Sequence, residues 1–269
     1  MSIGIFDSGL GGLTVARAVI AAMPYEKIVY FGDTARAPYG NKSPEAVLQF
    51  ARENTRFLLK KKADMIVVGC NTASAVAGQA LRKEFPNVPI FEVITPAVRE
   101  ALRVSCGGNI GVIGTSTTVQ SGAYQKWCAM RAQACPLFVP LVEAGRLRYP
   151  ATYEVAAQYL EPMKRARIDT LILGCTHYRW LKTVIAGIMG KHVTLVDSAE
   201  TVAREIVEMQ NAECRTPHHP ALAGGAGQVQ NVKTKVSKHE FYVSKKTPKF
   251  QELAEKWLGQ KINLKLASI

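Results

Sequence analysis

The hydrophobic positions of this 269-residue chain fall into short runs without polar alternation, separated by longer stretches of helical spacing. Ile3 to Phe6, Ile28 to Phe31, Met65 to Gly69, Ile90 to Ile94, Ile110 to Thr115 and Leu171 to Gly174 are such runs. A β-run with no polar face reads as a strand covered on both sides, the habit of parallel sheets. Between the first four runs the spacing predicts helices over about Thr14–Met23, up to about Lys61, and from Asn71 to about Phe85. The second of these has an explicit start in Ser43-Pro44-Glu45, with Ser43 as N-cap and Pro44 at the first helical position. Strands alternating with helices through short turns predict an α/β fold of mainly parallel sheets with flanking helices.

From Ile110 the plan starts again. Ile110–Thr115 parallels Ile3–Ser8 at an offset of 107, Phe138–Glu143 parallels Val29–Asp33 at about 110, and Cys175 parallels Cys70 at 105. Val193–Asp197 parallels Val88–Glu92, again at 105. Correspondences in one order with a nearly constant offset predict two similar α/β domains related by an approximate two-fold axis, with the active site at their interface. Residues beyond about 210 lie outside the second copy. Gly224–Gly227 reads as a connection, Glu240–Val243 as a strand, and Pro248–Leu258 as an amphipathic helix with Phe250, Leu253, Ala254 and Trp257 on one face. This tail is too short for a core of its own and is expected to pack back on the first domain. The expected domains are therefore 1–97 with 210–269, and 98–209.

Composition narrows the setting. With 48% hydrophobic and 20% charged residues the chain is of ordinary globular type. No apolar run approaches the ~20 residues of a membrane span, and Ile3-Gly-Ile-Phe6 follows the start without the basic region and cleavage site of a signal peptide. A cytoplasmic protein without membrane contact is expected. Cysteines at 70, 106, 128, 135, 175 and 214 are too few and too irregular for a disulfide framework, and none stands in a CxxC or Cys/His zinc spacing, so no metal is expected. Cys106, Cys128, Cys135 and Cys214 carry no motif and read as small buried or half-buried residues. The net charge of +13 is the unusual number, and nucleic acid, an acidic surface or an anionic small molecule would each account for it. Much of it lies in Lys60-Lys61-Lys62, Lys233 to Lys238 and Lys245-Lys246; without interleaved aromatics these read as solvated faces.

The candidate chemistry sits just past the ends of two matching runs. Met65 to Ser74 presents Cys70, Asn71 and Thr72 after Gly69; Leu171 to Tyr178 presents Cys175, Thr176 and His177 after Gly174. Open α/β sheets hold ligands at that end of their strands, and two copies placed face to face bring Cys70 and Cys175 into opposition across one small substrate. Opposed thiols suit removal of a proton from one face of a carbon and delivery to the other, each group serving as base in one direction and acid in the reverse. A thiol pKa of ~8.5 lies close to working pH. The carbon acid is far weaker, so a barrier near ~16 kcal/mol, for about ten turnovers per second, requires a stabilised carbanion and aligned bases.

Asp7 and His177 are the natural helpers of the two thiols. The backbone N–H groups of Asn71-Thr72 and Thr176-His177, at expected helix starts, are placed for a substrate carboxylate, and Asp33 and Glu143, paired by the repeat, for an ammonium. Structural readings stand beside these: Asp7 as a helix cap, His177 as a satisfied structural histidine, Asp33 and Glu143 as loop organisers, and Tyr39 as loop packing. Ser8, Asn71, Thr72 and Thr176 are good N-cap residues, a role compatible with ligand contact. The glycines at 9, 11 and 12 do not form a nucleotide loop, because Thr14 stands where a third fingerprint glycine belongs and no Gly-Lys-Ser/Thr follows.

The same residues carry a family resemblance. D-S-G-L-G-G at 7–12, A-P-Y-G at 37–40, G-C-N-T-A at 69–73 and G-C-T-H-Y at 174–178 resemble, in order, the four motifs of bacterial glutamate racemases. The likeness runs from Ile3 to about Val207 and, more loosely, into the strand and helix near the C-terminus. It implies a cofactor-independent interconversion of L- and D-glutamate by two thiols, supplying D-glutamate for peptidoglycan. Carried over by position, Cys70 acts on the α-proton of D-glutamate and Cys175 on that of L-glutamate, with Asp7 and His177 assisting. Asp7-Ser8, Tyr39-Gly40, Asn71-Thr72 and Thr176-His177 become substrate-contacting pairs. Thr115 and Thr118 in G-T-S-T-T and Glu143 in P-L-V-E also match, with less defined roles. A homodimer is the expected assembly. Racemisation of aspartate or another acidic amino acid, an added role of the basic surface toward DNA or gyrase, and a pyridoxal enzyme are the competing readings. D-S-G-L-G-G together with G-C-T-H-Y favours glutamate.

Overall fold

The computed structural model of the chain describes residues 1–214 and 239–269. The Gly224–Gly227 connection and the Lys233–Lys238 run lie outside the described residues, as does the Cys214 side chain. Two all-parallel sheets carry the fold. The first is built from β1 (Ser2–Asp7), β2 (Lys27–Gly32), β3 (Met65–Val68) and β4 (Ile90–Glu92), with β1 at its centre between β2 and β3. Strands β1, β2 and β3 are buried almost end to end, which is why they read as unbroken apolar runs. The second consists of β5 (Ile110–Gly114), β6 (Arg131–Ala134), β7 (Thr170–Gly174) and β8 (Thr194–Asp197), in the order β6-β5-β7-β8. It repeats the β2-β1-β3-β4 order of the first sheet.

Helices cover both sheets. In the first half these are α1 (Leu13–Ala22), α2 (Pro44–Lys60) and α3 (Asn71–Glu84). Ser43 caps α2 by accepting from the Ala46 N–H, with Pro44 at its first position. Next come α4 (Ile94–Val104), α5 (Ser116–Gln120), α6 (Phe138–Glu143), α7 (Pro150–Arg165), α8 (Lys182–Met189) and α9 (Ser198–Cys214). Helix α9 packs against α1 as well as α4 and so joins the two halves. At the end of the chain β9 (Glu240–Val243) pairs with β2, β10 (Leu264–Leu266) pairs with β9, and α10 (Pro248–Leu258) lies against α1 with Ala254 and Trp257 buried. Among the described residues no helix is long and apolar enough to cross a membrane.

Three local expectations are corrected. Phe138–Glu143 is helix α6, not the counterpart of β2; its buried residues, Phe138 and Val142, are spaced for a helix. The true counterpart is β6, whose Arg-Ala-Gln-Ala sequence on a half-exposed edge carries no apolar signal. The position matching Asp33 is therefore Cys135, not Glu143: the Asp33 N–H donates to the Asp7 carbonyl at 2.9 Å, and the Cys135 N–H to that of Gly114 at 2.9 Å. Next, β4 stops at Glu92 because its buried carboxylate accepts from the N–H groups of Ile94 (2.6 Å) and Thr95 (3.0 Å) and starts α4. Finally, Cys135 is buried and Cys128 half-buried, but Cys106 is exposed.

Candidate active site

The C-terminal ends of β1, β3, β5 and β7 converge between the two sheets on one small, largely closed cavity of about 30 Å³, room for a water or two. Cys70 and Cys175, the residues that follow Gly69 and Gly174, both line it, and both are buried. Ser8, Tyr39, Gly40, Asn71, Thr72 and Thr115 also line it, as do Glu143, Thr176 and His177. Gly9, Ala37, Pro38 and Val139 complete it. Asp7 is not part of this lining, but its charge acts on Cys70.

Cys70 itself is the N-cap of α3, its sulfur accepting from the Ala73 N–H at 3.5 Å, so Asn71 and Thr72 lie in the first turn and do not cap it. Nor does Asp7 cap the helix after β1, where Gly12 holds the N-cap position. The Asp7 carboxylate accepts from the Gly9 N–H at 2.9 Å through Oδ2, while Oδ1 is buried without a hydrogen-bond partner among the described residues. On the other side, Cys175 opens a turn that leads into a 3-10 helix at Tyr178–Leu181, not an α-helix start. His177 in that turn reaches back, with Nδ1 3.9 Å from the Cys175 sulfur, and its Nε2 is 3.2 Å from Glu143 Oε1.

The three threonines form one cluster. Thr72 Oγ1 is 2.9 Å from Thr115 Oγ1 and 3.1 Å from Thr118 Oγ1, and the latter two are 2.9 Å apart. Thr115 reaches the cavity; Thr118 stands behind it. Asp33 does not reach the cavity. Its carboxylate is taken up by Arg36 at 2.5 Å, by the Tyr39 hydroxyl and by Ser244 at 2.9 Å, so it anchors Tyr39 and leaves no oxygen for a substrate ammonium. Tyr39 also accepts from Asn54 at 3.1 Å.

Two glycines inside the motifs set how closely the two halves meet. A β-carbon at Gly11 would fall 2.2 Å from Thr176 Oγ1 and 2.6 Å from His177 Nδ1, and one at Gly40 would fall 2.6 Å from Thr115 Cβ. Only glycine permits these approaches. Val139 lies in a segment whose sequence reads as a strand, which hides it, whereas Asn54 gives no signal in the sequence at all.

The Asp/Glu/Hydantoin racemase profile matches residues 13–206. A glutamate racemase of Bacillus cereus is 42% identical over 97% of this chain and 94% of its own length. Among solved structures, glutamate racemase isoform RacE1 from Bacillus anthracis superposes with a TM-score of 0.88 at 36% identity, over 100% of this chain and 97% of that one. The chain belongs to the glutamate racemases. It is an amino-acid racemase, an isomerase. The racemase of Francisella tularensis, solved in complex with D-glutamate, is 30% identical with a TM-score of 0.86 over 99% of this chain and 97% of that one.

Within this racemase the two thiols have unlike electrostatic surroundings. Burial, and then the negative charge of Asp7, push the Cys70 thiol up to about 12. Burial also raises the Asp7 carboxyl above its usual range, against the opposing effects of His177 and of the Gly12, Gly9 and Ser8 N–H groups. Burial works against a charge on His177, but its contacts with Cys175 and Glu143 outweigh that and hold it up at about 10. Glu143, conversely, is held below its ordinary value: burial opposes this, but the His177 hydrogen bond and charge, and Lys249, prevail. One thiol therefore has a carboxyl neighbour and the other an imidazolium neighbour.

Proposed function

We propose that the protein interconverts L- and D-glutamate without a cofactor, by a two-base mechanism in which Cys70 and Cys175 act from opposite faces of the α-carbon, and that it supplies D-glutamate for peptidoglycan. The observation that carries this reading is that both thiols line one cavity at the ends of equivalent strands. For L-glutamate, Cys175 acts as thiolate beside the His177 imidazolium and removes the α-proton. Cys70, neutral at about 12, then gives its proton to the opposite face, and the product leaves Cys70 as thiolate and Cys175 as thiol.

In the D-to-L direction Cys70 must first lose its proton. Forming a thiolate with a pKa near 12 costs about 7 kcal/mol at neutral pH, a large share of the ~16 kcal/mol barrier of a typical enzyme. Asp7 offsets this cost by taking the proton itself: burial favours its neutral form, and neutral Asp7 no longer repels the thiolate. The Thr72 and Thr115 hydroxyls, held by Thr118 behind them, with the N-terminus of α3, suit a carboxylate. Glutamate is far larger than the cavity, so the reading includes parting of the two domains, taken as 1–97 with 210–269 and 98–209, to admit it.

Assaying Cys70→Ser and Cys175→Ser for loss of optical rotation with L-glutamate and L-aspartate tests this reading. Each variant is expected to lose nearly all turnover while keeping its fold, and the parent to act on glutamate. Retention of most turnover by either variant, or action of the parent on aspartate alone, overturns it.

A further inference from the structure

The turn that follows α5 brings a residue outside every motif against both thiol-bearing loops. Tyr124 is buried, and its hydroxyl donates to Asn71 Oδ1 at 2.6 Å. Its ring edge abuts Gly174, with Cε2 3.3 Å from where a β-carbon there would stand. Asn71 is the residue after Cys70, and Gly174 is the residue before Cys175.

The Asn71 amide is held at its other end as well. Nδ2 donates to Ser198 Oγ at 3.4 Å, and that hydroxyl donates to the Leu173 carbonyl at 3.2 Å, in the strand that immediately precedes Cys175. Donors and acceptors run consistently along Tyr124, Asn71, Ser198 and Leu173, so one orientation of the carboxamide satisfies the whole relay. All four residues are buried, where a lost partner is not replaced by bulk water.

We propose that Tyr124, aided by Ser198, is a positioning residue for racemisation, holding Asn71 from the opposite sheet and thereby setting Cys70 relative to Cys175. The proposal rests on the two-thiol reading. Transfer across a planar carbon needs both sulfurs within reach of the same atom, whereas proton abstraction by one thiol needs only that thiol. Loosening the relay therefore impairs delivery more than removal. The hydroxyl alone is at issue, since Tyr124→Phe keeps the ring against Gly174.

The test follows L-glutamate in deuterium oxide, measuring deuterium at the α-carbon of recovered L-glutamate against formation of D-glutamate, with thermal unfolding as a check on the fold. In Tyr124→Phe, inversion is expected to fall roughly ten- to a hundred-fold, with little change in KM and a raised ratio of exchange to inversion. Ser198→Ala is expected to shift the ratio in the same direction by less, and it decides the matter should Tyr124→Phe not fold. If exchange and inversion fall in equal proportion, or neither falls, the positioning role is wrong. Inactive Cys70→Ser and Cys175→Ser variants beside an unaltered Tyr124→Phe would sink this proposal alone; an active cysteine variant would sink the two-thiol reading.

Discussion

His177 Nδ1 stands 3.9 Å from the sulfur of Cys175, and the other ring nitrogen is 3.2 Å from Glu143. The imidazole thus lies between a thiol and a carboxylate, while Cys70 has Asp7 as its charged neighbour. Glu143 is one of the groups that hold His177 near 10. Glu143→Gln is accordingly expected to move the alkaline limb of the kcat/KM profile for L-glutamate to lower pH, and to lower kcat roughly tenfold or more. An unmoved alkaline limb would show that Glu143 does not set the protonation of His177.

His177 also ties stability to pH. Its value in the folded protein, about 10, lies above the ~6.5 of an unfolded histidine. The contribution of its charged form is therefore fully present below about pH 6.5 and is lost as pH rises toward 10. The difference in unfolding free energy between the parent and His177→Gln should shrink across that window in denaturant titrations. A difference that stays flat from pH 6 to about 10 contradicts the assignment.

Gly11 lies where the two halves touch. In Gly11→Ala the new methyl would fall 2.2 Å from Thr176 Oγ1 and 2.6 Å from His177 Nδ1, so the Thr176–His177 turn must shift. Overpacking of this kind costs about 1–3 kcal/mol, and a displacement of the site lowers kcat by roughly a hundredfold. Thermal unfolding and steady-state kinetics measure the two effects; parental activity would mean the turn can give way without consequence.

Asp33 separates a structural carboxylate from a substrate contact. With its oxygens on Arg36, Tyr39 and Ser244, Asp33→Ala removes these hydrogen bonds while Arg36 keeps its ion pair with Glu53, and should destabilise the fold by about 1–3 kcal/mol. The loss should appear in the unfolding midpoint. A stable variant with a greatly raised KM for glutamate would instead return Asp33 to the substrate's ammonium.

The sequence exposed most of the fold because the central strands are covered on both faces and so stand out as apolar runs. The thiols were legible for the same reason, each following the glycine that ends such a run. Legibility failed where burial failed: β6 is a polar edge strand, and the apolar stretch Phe138–Glu143 imitated a strand although its buried positions repeat at helical spacing. That one misreading paired Asp33 with Glu143 and gave both the same task, whereas one anchors Tyr39 and the other holds His177. Tyr124, Ser198 and Asn54 act across long sequence separations, and a single polar residue carries no periodicity from which its partner can be inferred.

The origin of the hydrogen delivered to the α-carbon bears most directly on the two-thiol mechanism. L-Glutamate turned over briefly in deuterium oxide should yield D-glutamate carrying solvent deuterium, because the proton taken by Cys175 is not the one given by Cys70. D-Glutamate that retains the protium of its parent molecule would mean that one group both removes and returns it, and the opposed pair of thiols would lose its role.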